Sequence, residues 1–224
     1  MILNALWVTL AVSALAAFLS TIMGTAAAIG FRNLKRRSRN VFMTINNIPL
    51  TNADIITGVS MMLLFVFAIG AFNGSPISQL LGVRWKMGFG TLLLAHITFD
   101  APYVILSVMP KLRQLDPNIY EAAQDLGANS FTVFRRVTFP LSLPGVLSGV
   151  TMVFIPSVST FVISRLLGGG KSLLLGDLIE MQFMGTTYNP WLGSAIALVM
   201  MVIVLVCMAI MNRFGEGEEG VSFL

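Results

Sequence analysis

The chain has 224 residues, 56% of them hydrophobic and 11% charged, with a mean hydropathy of +0.84. A chain this apolar cannot cover itself with polar side chains in water, which excludes a soluble or disordered protein and points to an integral membrane protein. A formal charge of +4 would suit nucleic acid, but the basic residues sit in short connections between apolar runs rather than in one patch, which excludes that partner.

Charge-free runs at 1–31, 55–83, 137–164 and 181–212 each reach the ~20 residues that a spanning helix needs. A fifth span is expected at 87–109, interrupted by Asp100 and Pro102. The fold expected is all-α, a polytopic transmembrane helical bundle of about five spans, with 1–224 as a single domain. No basic residue precedes the first run, the opposite order to a cleaved signal peptide. In that run Gly24 and Ala28 offer a small-residue face to another helix, although alanine is also simply a lipid-compatible helix former. Arg32, Lys35, Arg36, Arg37, Arg39, Lys111, Arg113, Arg135, Arg136 and Arg213 fall on one side of the bundle. Arg84, Lys86, Arg165 and Lys171 fall on the other, and ten against four assigns the first group to the cytoplasm, with the N-terminus outside.

The basic cluster at 32–39 reads as a topology signal beside anionic lipid. Residues 41–54 bring Asn46, Asn47, Pro49, Asn52 and Asp54 into a region that must still enter the membrane, where such residues line water or are buried in protein. Asp54 then either faces a pore or caps the helix starting near Ile55. Residues 72–83 form an outside loop. In the third span His96 and Asp100 are four apart and share a helix face, where they could pair. A carboxylate in a span is costly and usually faces a cavity or a partner. A lone histidine without a second one makes a metal site improbable, and one cysteine, Cys207, allows neither a disulfide nor a cysteine metal site.

Residues 120–145 read YEAAQDLGANSFTVFRRVTFPLSLPG. A short helix opening at Asn118 or Tyr120 places Glu121 in its first turn, suited to the helix dipole. Gly127 breaks it, a second short helix starts near Asn129 or Ser130, and Pro140 closes the segment. Small alanines beside an acid let another protein approach closely. The order carried by Glu121, Ala122, Ala123, Gly127, Val137, Phe139 and Pro140 resembles the cytoplasmic loop of ABC-importer permeases of the binding-protein-dependent type I class. Val137 and Phe139 stand where isoleucine and leucine are commoner, and both keep the apolar character. The resemblance runs from about residue 5 to 212, and NNIPLTNADIITG, LLAHITFDAPYVI and LLGGGKSLLLGDLI look like the spermidine/putrescine branch. It implies a permease with a coupling loop at 110–143 that docks cytoplasmic ABC ATPase subunits through Glu121, Ala122, Ala123, Gly127 and Pro140. It also implies a second homologous permease subunit and an extracytoplasmic substrate-binding protein in a bacterial inner membrane. No cofactor is expected in this chain, ATP and Mg being used by the partner ATPase. In that family a further span usually precedes the first, so a shorter form or a truncated start is expected.

Beyond the loop, Gly145 and Gly149 form another small-residue face, and Pro156 kinks or opens its span beside Ser157, Ser159 and Thr160. GGGKS at 168–172 is not a phosphate loop, because Arg165 stands where its first glycine belongs and topology puts it outside. Residues 176–185 read as a short helix near the outer leaflet, and the acidic tail at 214–224 as disordered. Asp54, Asp100, Asp177 and Glu180 are the candidate substrate-path acids, because carboxylates between low-dielectric walls lower the barrier to a cation. The function expected is import of a small cationic substrate, spermidine or putrescine. The alternatives are a permease for another small solute (iron, an amino acid, an anion) and, further off, an ion-coupled carrier or channel whose only coupling pair would be His96 and Asp100. No nucleophile elbow, metal-ligand pair or phosphate loop supports an enzyme.

Overall fold

The computed structural model describes residues 2–116, 118–170, 173–185 and 188–215, without a strand among them. In chain order the elements are α1 (Ile2–Arg32), α2 (Arg36–Thr51), α3 (Asp54–Asn73), α4 (Pro76–Leu81), α5 (Phe89–Gln114), α6 (Asn118–Asp125) and α7 (Ser130–Val133). A π-helical turn (Phe134–Thr138) follows, then α8 (Phe139–Ser159), α9 (Val162–Leu167), α10 (Leu175–Met184) and α11 (Pro190–Gly215). Five segments are long and apolar enough to cross a bilayer: Ile2–Arg32, Asp54–Asn73, Phe89–Gln114, Phe131–Ser159 and Pro190–Met211. The expected all-α bundle of five spans is what forms.

Lipid tails are as apolar as leucine, so helices in a bilayer associate through close packing rather than by escaping water. Helix α1 supplies that packing with a stripe of small buried residues, including Ala5, Thr9, Ser13, Ala17, Gly24 and Ala28. It lies along α5, whose Val104, Ile105 and Val108 share a buried cluster with Ala17, Ala28 and Val153 of α8. A Cβ at Gly24 would stand 2.7 Å from the Cβ of Val104. Across the α5–α8 contact the Ser107 hydroxyl donates to the Gly145 carbonyl at 2.8 Å. The most apolar window of α5 is 56% buried and those of α3 and α11 only 6%, so α1, α5 and α8 form the inner trio. Trp7, Trp85 and Trp191 all lie exposed at the end opposite the basic cluster, as an interfacial belt requires.

The second span is broken. Helix α2 runs through Pro49 to Thr51, whose hydroxyl donates to the Ile48 carbonyl at 3.0 Å. The chain is extended at Asn52 and Ala53, and α3 starts at Asp54. The depth of this break follows from α5. Asp100 lies eleven residues from Phe89 and eleven from Lys111, about 16 Å each way at 1.5 Å per residue, which is half the thickness of a bilayer core. The Asn46 amide donates to the carbonyl of Pro102 at 3.4 Å, so the last turns of α2 reach that level. Residues 41–51 are helical and only Asn52 and Ala53 are extended, so the segment meets the middle of α5 as a helix with a short break rather than as irregular chain.

Three local expectations change. Asp54 does not cap α3: Ala53 is the cap, and its carbonyl accepts from the N–H of Ile56 and Thr57. The outside loop at 72–83 contains α4, because Ser75 accepts from the Ser78 N–H and Pro76 suits the first helical position. Pro140 does not close the coupling segment. The chain stays helical from Ser130 to Ser159, and the wide turn over Phe134–Thr138, closed by the Phe139 N–H on the Phe134 carbonyl, makes room for a residue that clashes with a normal α-helical turn.

Replacing Gly24 with leucine forces α1 away from Val104, with an expected loss of about 1–3 kcal/mol. Gly30→Ala on the same helix meets nothing within 4 Å and is expected to be neutral or slightly stabilising. Thermal unfolding of the two variants in detergent measures the difference.

Candidate functional site

At mid-depth the break between α2 and α3 faces a cavity of about 40 Å³ lined by Asp54, His96, Phe99, Asp100, Tyr103, Pro156, Ser157, Thr160 and Ile163. The first turn of α3, the middle of α5, the last turn of α8 and the junction to α9 each contribute. Asp54 is exposed at its rim. His96, Asp100 and Ser157 are buried, at 1%, 3% and 1% exposure. The side chain of a helical residue leans toward the preceding turn, and His96 accordingly places Nδ1 2.9 Å from the Leu92 carbonyl. The expected pairing of His96 with Asp100 therefore does not form. His96 Nε2, Asp100 Oδ2 and Ser157 Oγ are buried without a well-formed hydrogen bond, the Ser157 hydroxyl lying beside the Asp100 carboxylate. Leaving such an atom unmet costs about 1–3 kcal/mol, so the three define a site that water or a polar ligand completes. The cavity holds roughly two or three waters. Sequence reasoning singled out Asp54, Asp100, Ser157 and Thr160 but missed Tyr103, three residues beyond Asp100 and so one turn along the same face of α5.

The other two acids lie elsewhere. Asp177 is 2% exposed and its Oδ2 accepts from the Ser164 hydroxyl and from the Leu174 N–H. Burial pushes its carboxyl above the usual range, and those two hydrogen bonds pull it back. One residue on, the Leu175 N–H donates to the Thr9 hydroxyl at 2.8 Å. Asp177 thus ties α9 and α10 together where they meet α1. Glu180 pairs with Arg165 at the bundle surface. The glycines before Lys171 turn with positive φ at Gly169 and Gly170, while Lys171 and Ser172 lie outside the described residues. Among the described residues no group of three His, Cys, Asp or Glu can hold a metal.

At the basic end α6, α7 and the π turn form an exposed elbow. Helix α6 opens at Asn118 and ends in a left-handed turn at Gly127, with φ +82°. There the Gly127 N–H donates to Gln124 and the Ala128 N–H to Ala123, at 2.8 and 3.1 Å. This pair of bonds is a Schellman stop, which wants glycine. Asn129 then caps α7 by accepting the Thr132 N–H at 2.8 Å. Glu121 lies within α6, and its side chain is outside the described ones. Ala122, Gly127 and Pro140 are exposed and Ala123 half-buried. Leu126 and Phe131 project beside them at 89% and 69% exposure; an apolar residue directly before a turn glycine was the available signal for Leu126. Residues 216–224, most of the acidic tail, lie outside the described residues.

A five-span bundle with a polar cavity at mid-depth and an exposed elbow at its basic end defines a membrane transport component. Residues 10–217 match the binding-protein-dependent transport system inner membrane components, and the chain belongs to that family, one of permease subunits that are not themselves catalysts. It is 35% identical over 178 residues to the putrescine transport system permease protein PotI of Escherichia coli (strain K12), an alignment covering 79% of this chain and 60% of that one. To the spermidine/putrescine transport system permease protein PotC of Haemophilus influenzae it is 32% identical, over 85% of this chain and 67% of that one. The chain therefore spans about six tenths of the length of PotI. Its fold resembles a chain of the MetNI methionine ABC transporter in inward-facing form, with a TM-score of 0.71 at 19% identity over 96% of this chain and 95% of that one. It also resembles a chain of a bacterial alginate ABC transporter in complex with its periplasmic protein, with a TM-score of 0.75 at 16% identity over 97% and 78%.

Asp177→Ala removes the acceptor of two bonds; the Ser164 hydroxyl can still donate to the Phe161 carbonyl at 3.0 Å, but the Leu174 N–H is left unmet, an expected cost of about 1–3 kcal/mol. Glu180→Gln breaks a pair whose arginine is 61% exposed and is expected to cost under about 1 kcal/mol. Melting temperatures of the two purified variants give the order.

Proposed function

We propose that this chain is the membrane permease subunit of an ATP-driven importer for a small polycation, spermidine or putrescine, in a bacterial inner membrane. Cytoplasmic ABC ATPase subunits engage the elbow through Glu121, Ala122, Ala123, Gly127 and Pro140. A second permease subunit completes the path, and an extracytoplasmic binding protein delivers the substrate. ATP and magnesium act in the partner ATPase, not in this chain.

The convergence of Asp54 and Asp100 on one mid-depth cavity carries this reading. A cation of two to four charges cannot enter hydrocarbon bare, and fixed carboxylates replace part of its hydration while repelling anions. Asp54 at the rim and Asp100 on the floor offer two successive counter-charges, each weak enough to release the ion. The cavity is too small for a polyamine as it stands, so passage requires α3 to swing from α9, on which it packs through Gly58 against Val162 and Leu166, at the break behind Asp54. A permease for an anion would not place two carboxylates here. A self-coupled carrier lacks the His96–Asp100 pair it would need.

Uptake of labelled spermidine and putrescine by cells carrying the whole transporter, with and without this chain, tests the reading. Loss of uptake without the chain is expected, and unchanged uptake would remove it. Asp54→Asn and Asp100→Asn are each expected to lower uptake per assembled complex several-fold while the ATPase still co-purifies. Gly127→Val, strained at positive φ, is expected to abolish transport with the protein still in the membrane.

A further inference from the structure

The three buried polar atoms of the mid-depth cavity are of one kind, and that kind selects a ligand. His96 Nδ1 lies 2.9 Å from the Leu92 carbonyl, and a carbonyl only accepts, so Nδ1 carries the hydrogen. No carboxylate is bonded to the ring, and a charged imidazole here would be a buried ion without a partner. The ring is therefore neutral, and its Nε2, buried and unmet, offers a lone pair. Asp100 Oδ2 is an acceptor as well. The only hydrogen among the three atoms belongs to Ser157, whose hydroxyl lies beside the Asp100 carboxylate and keeps its own lone pairs free. Among the described residues no lysine or arginine lines the cavity. Three acceptors in one small space are matched by a group with three donors and no acceptor, which is what a primary ammonium carries. Size agrees with this match, because about 40 Å³ holds roughly two or three waters and so admits an ammonium head with its first methylene but not a whole chain. Phe99, Pro156 and Ile163 give that methylene an apolar wall. A hard metal ion would meet an imidazole that suits it poorly, and among the described residues no group of three His, Cys, Asp or Glu could hold a softer one.

We propose that His96, Asp100 and Ser157 form the seat for one primary ammonium head of an alkylamine, each taking one of its three N–H groups, with the alkyl chain leaving past Asp54 at the rim. The inference rests on the reading above that a polycation passes this cavity, and it deepens that reading by giving Asp100 two partners in recognition. It makes the site one for primary amines rather than for positive charge in general. A quaternary ammonium has the charge, but it has no N–H to give and carries methyl groups that the cavity has no room for.

The assembled transporter, purified in detergent without its binding protein, is melted in rising ethylammonium chloride, with tetramethylammonium chloride and potassium chloride at matched ionic strength beside it. Ethylammonium alone is expected to raise the melting temperature in a saturable way. His96→Phe and Ser157→Ala each remove one acceptor and are expected to raise the half-saturating concentration about tenfold. His96→Gln, whose amide oxygen stands in for Nε2, is expected to stay within about threefold of the wild type, and Asp100→Asn to abolish saturation. A merely structural role for these residues would lower the melting temperature without ligand and leave half-saturation where it was, which overturns the proposal. Equal stabilisation by tetramethylammonium would reduce the site to a bare counter-charge, and by potassium would make it a metal-ion site; either result overturns the proposal too. Uptake of labelled putrescine by cells carrying the whole transporter separates this inference from its parent. If those cells take up putrescine while ethylammonium stabilises nothing, only the ammonium seat falls; if they take up neither putrescine nor spermidine, the parent reading does.

Discussion

A helix broken inside a bilayer exposes carbonyls and amides that hydrocarbon cannot bond, and the architecture is arranged around tolerating one such break. Between α2 and α3 the chain leaves helical geometry at Asn52 and Ala53, level with the midpoint of α5. Only polar walls make that affordable. Thr51 turns its hydroxyl back onto the Ile48 carbonyl, Asn46 reaches the Pro102 carbonyl, and Ala53 keeps its own carbonyl occupied by the first turn of α3. The remaining polarity faces the cavity with Asp54, His96, Asp100 and Ser157. The break and the cavity are therefore one feature, because neither is stable in lipid without the other.

The inner trio holds this feature in place by the means that lipid leaves available. Gly24 lets α1 approach Val104, and Gly145 lets α8 approach Lys111, whose Cγ would lie 3.1 Å from an added Cβ. Both contacts lie on α5, within a few turns of Asp100. The side of α8 that contacts α5 also carries Ser157 to the cavity wall. From Ser130 the chain runs to Ser159 without leaving helical geometry, through the π turn at Phe134–Thr138. That is roughly 44 Å of continuous helix at 1.5 Å per residue. The elbow and the cavity therefore share one rigid element, with a single widened turn near the elbow where it can flex.

The sequence was most legible where local chemistry decides the outcome. Apolar run length sets the spans, and the helix stop at Gly127 and the start at Asn129 follow from a glycine and an asparagine acting on their own neighbours. It was least legible where the outcome depends on contacts distant in sequence. Nothing local shows that Asn46 reaches Pro102, or that Asp54 and Asp100 share a cavity while Asp177 is consumed by Ser164 and Leu174. His96 and Asp100 share a helix face, but the lean of side chains toward the preceding turn sends His96 to Leu92 instead. Pro140 misled for a related reason. Its clash with an α-helical turn is real, and the chain absorbs it by widening one turn rather than ending the helix.

The four non-loop acids thus divide by what surrounds them rather than by their spacing in the chain. Asp177 meets donors from α9 and from the residue before α10 and becomes a tie; Glu180 meets an exposed arginine and becomes a surface pair. Among the described residues Asp54 and Asp100 meet no cation, and Asp100, like Asp177, keeps one buried oxygen without a partner. A buried carboxylate oxygen left unmet is costly, and at Asp100 it belongs to a residue lining the cavity, where water or a polar ligand can meet it. The cavity therefore has something to gain from an incoming donor. A cation passing from the exposed Asp54 to the buried Asp100 would exchange its water for carboxylates in two steps, with no bare stage between them.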